Sequence, residues 1–321
     1  MSGVRLDSPD RNELNNEANM EAEMKSENKL GGSTLPGAIL FVLYLVAGLM
    51  IFLFGNNWNS LFPTNTSTYY KWGLVLFFLV IVVLLRLYAP LRQYWGIAFS
   101  LFMAAFVNAN MWLFGNWLGH LVSTPVSTAQ ELAIDKLSQA IPVVLGIIML
   151  TFLSRADLGS IFLKRGDLKT GLRFGIISFV IFAVIFAVIA VLQTNAPSGT
   201  GLTAGGVSLS TIITAIPWIL VFCFANSIME ELWLRGIILR KLHPFLGKTA
   251  TILVTALVFG SIHVGATYIS PVEMFIFPVI AIGLGLVNAH IMLKTDSIWG
   301  SVLFHAGYDL IVIIPILVSK A

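Results

Sequence analysis

Met229-Glu230-Glu231-Leu232-Trp233-Leu234-Arg235 closes an apolar run that begins near residue 210. The whole chain is 57% hydrophobic and 11% charged. Soluble domains carry about 25% charged residues, so this composition is that of a polytopic membrane protein. An ionisable side chain inside a membrane helix is costly and marks a functional site by default. On a helix Glu231 and Arg235 are four apart, share a face and can pair. Glu230 lies about 100° around the helix from Glu231, which leaves it as the carboxylate for chemistry.

Outward from that stretch, apolar segments long enough to cross ~30 Å of hydrocarbon recur along the chain. Hydropathy predicts an all-α, polytopic transmembrane helix bundle of about nine spans: 37–55, 72–88, 95–118, 139–154, 172–193, 210–234, 249–268, 274–293 and 298–318. Basic residues gather in alternate loops: Arg86 and Arg92; Arg155, Lys164, Arg165, Lys169 and Arg173; Arg235, Arg240, Lys241 and Lys248; Lys294. The opposite loops hold only Lys71 and Lys136. The positive-inside rule then places the N-terminus in the cytoplasm. Residues 1–35 are polar, without aliphatic periodicity, and read as a disordered cytoplasmic tail with no cleavable signal peptide. The basic segment from Arg155 reads as a topology-setting loop, with a short amphipathic surface helix as the alternative. The single cysteine, Cys223, excludes an intrachain disulfide. Nothing points to nucleic acid; the lipid bilayer is the expected surroundings.

The remaining intramembrane ionisable residues are His263, His290, His305 and Asp309, all in the last three spans. This asymmetry divides the chain into an N-terminal membrane-spanning frame, 36–204, and a functional core, 205–321. In Phe259-Gly-Ser-Ile-His263 the ring precedes the imidazole by one turn, where it would orient it and exclude water. In His305-Ala-Gly-Tyr-Asp309 the imidazole and carboxylate share a face. At 1.5 Å per residue, the Glu pair, His263, His305 and Asp309 lie about 15, 21, 12 and 18 Å from the cytoplasmic helix ends, around a cavity expected to open to that side. A glutamate in such a site can activate water as a general base. The histidines and Asp309 can bind an oxyanion or complete a metal site. Gly260, Gly283, Gly285 and Gly307 permit close helix approach. Plainer roles stand beside these: Glu231–Arg235 as a structural ion pair, His290 as an interface residue, and His120 and His243 as loop residues.

Glu-Glu-x-x-x-Arg at 230–235, Phe-x-x-x-His at 259–263 and His-x-x-x-Asp at 305–309, in this order on successive spans, resemble the CPBP family. This family comprises CAAX proteases and bacteriocin-processing enzymes and is also called the Abi family. The resemblance covers about 205–321, and the segment Arg155 to Arg173 looks like the region preceding the core in bacterial members. It implies an intramembrane endopeptidase acting on a peptide or protein in or at the membrane. By that analogy Glu230 and His263 activate water, Glu231 and Arg235 shape the site, and His305 and Asp309 stabilise the oxyanion. The last position is usually Asn in the eukaryotic and archaeal CAAX branch, and here it is an acid. The resemblance leaves open a divalent metal such as zinc, with Glu230, His263 and His305 as ligands, or a metal-free glutamate mechanism. The expected setting is the plasma membrane of a prokaryote. A catalytically silent scaffold or immunity protein, or a proton-coupled transporter, are the alternatives.

Overall fold

The computed structural model describes residues 37–55, 64–122, 127–195, 209–264 and 271–320. The expected tail 1–35 and most of the loop 194–210 lie outside these residues. Among the described residues the chain is helical, without a strand. The long helices are α1 (Gly37–Gly48, extended by a π-helical turn Leu49–Leu53), α2 (Thr64–Leu87), α3 (Trp95–Phe114), α4 (Thr128–Leu153) and α5 (Leu168–Asn195), then α6 (Leu209–Glu231), α7 (Leu239–Ile262), α8 (Pro271–Thr295) and α9 (Trp299–Lys320). Each answers to one predicted span. Among the described residues seven helices are long and apolar enough to cross a membrane; Gly37–Leu53 is shorter, and α9 runs 22 residues.

These helices meet the bilayer with apolar ridges. On α5, Ile176, Ile177, Val180, Ile181, Val184 and Val188 are all exposed, a stripe at helical spacing that water would penalise and lipid does not. Toward the protein, small residues let backbones approach. A Cβ on Gly300 would lie 2.7 Å from the carbonyl oxygen of Gly171, and one on Gly307 would lie 2.9 Å from Cα of Phe179, so α9 seats directly on α5. A Cβ on Gly285 would lie 3.0 Å from Cα of Ala256, and one on Gly260 would lie 2.9 Å from the carbonyl oxygen of Pro278, so α7 and α8 pack closely. Gly283 differs from the expectation: nothing lies within 4 Å of its Cβ position.

The two halves of the sequence interleave. α1 packs against α7, α4 against α6, and α5 against α9. α4 begins at Thr128, capped by the Ser127 hydroxyl, which accepts from the N–H of Gln130. That start is well before the predicted 139, and α2 likewise starts at Thr64 rather than 72. Lys71 and Lys136 therefore belong to helices and are buried, not in outer loops. The basic segment after Arg155 is a loop and not an amphipathic helix, and it is packed against the bundle. A short 3-10 turn, Leu158–Ile161, buries Ile161 and Phe162 under the bundle. Lys241 Nζ donates to the carbonyl of Ser160 at 2.8 Å, and the N–H of Ile298 donates to that of Phe162 at 3.1 Å. Asp296, in the turn between α8 and α9, pairs with both Lys164 and Arg240.

α7 is two helices joined at a kink. Gly247 has φ 70° and ψ 173°, a left-handed break that glycine takes without a Cβ penalty. The membrane part of α7 thus starts after Gly247 and stops at Ile262, with His263 as its C-cap.

Candidate active site

α6 ends at Glu231 and passes into a π-helical turn, Leu232–Gly236, before α7. Two side-chain contacts to α3 hold this turn. Trp233 Nε1 donates to the carbonyl of Ala104 at 3.2 Å, and the Ser100 hydroxyl donates to that of Ile237 at 2.6 Å. The first π turn, after α1, is held in the same way: Asn108 donates to the carbonyl of Ile51 and Tyr70 to that of Met50, each at 3.0 Å. Wider turns free carbonyls, and buried carbonyls need partners.

Glu231 is fully buried and its carboxylate is saturated. Oε1 accepts from Arg235 Nη1 at 2.5 Å, His305 Nδ1 at 2.7 Å and Asn288 Nδ2 at 2.9 Å. Oε2 accepts from the Ser301 hydroxyl at 2.6 Å. The expected Glu231–Arg235 pair forms, and three helices converge on it. Asn288 and Ser301 are the partners that sequence reasoning missed, since a lone Asn or Ser on a membrane helix carries no spacing signal.

Because Glu231 can only accept, Nδ1 of His305 carries a proton and Nε2 is the nitrogen that faces the site. Nε2 lies 3.7 Å from Glu230 Oε2 and 3.6 Å from Asp309 Oδ1. Both separations exceed a direct hydrogen bond and suit a bridging oxygen. Glu230 Oε2 is buried and makes no hydrogen bond to protein. Asp309 Oδ2 accepts from Asn226 Nδ2 at 3.0 Å, a partner on α6 one turn before Glu230. Glu230, His305 and Asp309 are thus brought together as expected.

Phe259, fully buried, is the shared wall. Its ring centroid lies 4.7 Å from that of His263 and 5.8 Å from that of His305, edge-on to the latter. The Arg235 guanidinium stacks 4.1 Å above the same ring. His263 Nδ1 donates to the carbonyl of Phe259 at 2.9 Å, leaving Nε2 as its free nitrogen. The far side of His263 meets Phe277. His290 is exposed on α8 and takes no part.

Glu230 lines a cavity of about 30 Å³, enough for a water. Phe52, Asn108, Met111, Trp112 and Gln139 share that wall with Met229 and Trp233. The N-terminal helices therefore supply half of the wall of the cavity at Glu230. The cavity sits toward the ends where α1, α3 and α7 finish.

Among the described residues, no three His, Cys, Asp or Glu side chains are grouped to hold a metal ion. Glu230, His263 and His305 form no such group.

Residues 212–311 match the family model described as Type II CAAX prenyl endopeptidase Rce1-like. The chain carries an Rce1-like domain. The matched stretch contains Glu230, Glu231, Arg235, Phe259, His263, His305 and Asp309. With its long apolar helices, the protein is a multi-pass membrane protein. No curated protein and no solved structure is significantly similar to it.

Proposed function

We propose that the protein is an intramembrane endopeptidase of glutamate type, which hydrolyses a peptide bond in a membrane-associated or lipidated peptide. The arrangement that carries this reading is Glu230 Oε2 and Asp309 Oδ1 flanking His305 Nε2 at 3.7 and 3.6 Å, with Glu230 also lining a water-sized cavity. A water bound at Glu230 gives it a proton as the water oxygen attacks the scissile carbonyl carbon. His263, through Nε2, orients the same water. His305, protonated on both nitrogens, donates Nε2–H to the oxyanion. Carbon–nitrogen cleavage follows, and Glu230 returns its proton to the leaving amine. Asp309 accepts from Asn226 and faces the imidazole, so it orients His305. Glu231 and Arg235 act as positioning residues. The setting proposed is a prokaryotic plasma membrane, with the N-terminus in the cytoplasm.

The test is cleavage of a farnesylated peptide, or its unlipidated counterpart, by wild type and Glu230→Gln in proteoliposomes, with products read by mass spectrometry. The variant should lose about 100-fold or more, the usual worth of a general base. Equal cleavage by both proteins refutes the assignment.

A further inference from the structure

Lys136 lies outside the Rce1-like domain, yet its ammonium is buried within the bundle, with the residue 6% exposed. It is eight residues into α4, about 12 Å from the helix start. A lysine near a helix end in lipid ordinarily snorkels toward the nearer surface. This one turns the other way. Nζ donates to Gln139 Oε1 at 3.3 Å, one turn deeper along α4, and lies 5.5 Å from the ring centre of Phe222 on α6.

Both neighbours lead to the candidate site. Gln139 lines the Glu230 cavity, and its amide donates to Asp135 Oδ2 at 2.9 Å. Phe222 is one turn before Asn226, the donor to Asp309. Lys136 thus touches the wall of the Glu230 cavity through Gln139 and, through Phe222, the stretch of α6 that carries Asn226. The charges explain why a cation belongs there. Glu231 is committed to Arg235. Glu230 and Asp309 face one imidazole, which even when protonated offsets only one of them.

We propose that Lys136 is a positioning residue of the site, supplied by the N-terminal half: its ammonium offsets the Asp309 carboxylate and so holds Asp309 and His305 in place opposite Glu230. The catalytic part of this inference rests on the endopeptidase reading; the Lys136–Asp309 coupling does not.

The experiment has two arms on the full chain. The first is a thermal-unfolding cycle in detergent with Lys136→Met, Asp309→Asn and the double variant. Removing one partner leaves a buried charge uncompensated, so each single change should lower the midpoint by several degrees, and the double should recover most of the loss. Lys136→Arg should unfold like wild type. Additive losses overturn the inference, whatever the activity. The second arm is cleavage of the farnesylated peptide. Lys136→Met should lower kcat about tenfold with KM nearly unchanged, less than the ~100-fold of a lost oxyanion donor, and Lys136→Arg should retain most of it. If Lys136→Met cleaves like wild type while Glu230→Gln is dead, the inference fails and the endopeptidase reading stands. If wild type and Glu230→Gln cleave alike, the endopeptidase reading fails and the unfolding cycle still decides the coupling.

Discussion

His305 Nδ1 lies 2.7 Å from Glu231 Oε1, so one glutamate of the adjacent pair fixes the ring nitrogen that faces the other. Removing that carboxylate's charge does two things. It frees the imidazole to turn over, and it strands the fully buried Arg235 guanidinium. Glu231→Gln should cost about 3–5 kcal/mol of stability, and Arg235→Met a similar amount. The double variant should recover part of the loss. Unfolding midpoints in detergent check this.

Phe259 touches both imidazoles and the guanidinium. Phe259→Leu keeps the site apolar but removes the flat wall, at about 0.5–1.5 kcal/mol for each aromatic or cation contact. kcat should fall more than stability does, because two imidazoles lose orientation at once. A variant with wild-type kcat would show that the ring is packing alone.

Two glycines of the same region should behave oppositely. Gly260→Leu meets the carbonyl of Pro278, which is backbone and cannot yield, so α7 and α8 must part. Yields of folded protein should drop sharply. Gly283→Leu points into open space and should be tolerated. Size-exclusion profiles of the two variants give the comparison.

Chelation offers a separate check. With Glu230, His263 and His305 not grouped as ligands, cleavage should persist in EDTA or phenanthroline. Loss of activity on chelation and return with zinc would require a rearranged site.

Asp167, outside the spans, caps the start of α5. Hydrogen bonds from Thr170, first its hydroxyl and then its N–H at 3.0 Å, hold the carboxyl below its usual range. A lowered carboxyl stabilises the folded state above the unfolded value, about 3.9, and the benefit fades as pH falls through the folded value. Asp167→Ala should therefore lower the midpoint slightly at pH 7. The gap from wild type should close as pH falls below about 4.

The helices and the Glu, His, His and Asp of the site were legible because hydropathy and helical spacing are local signals. Glu231–Arg235 followed from four-residue spacing even though a π turn intervenes. The turn itself was not legible, since Trp233 and Ser100 hold it to α3 from far along the chain. Lys136 was misread for a definite reason. Hydropathy gives a span boundary wherever charge appears, and a buried lysine mimics a loop. Asn226, Asn288 and Ser301 carry meaning only through partners 57 to 83 residues away.

The interleaving of the two halves has a consequence for biogenesis. Glu230 and its cavity wall are made of helices up to α7, but the imidazole and carboxylate facing Glu230 come from α9. On the proposed reading, a nascent chain is inert through most of its insertion. Cleavage, on that reading, requires α9 seated against α5, so assembly itself would guard the membrane against an unfinished protease.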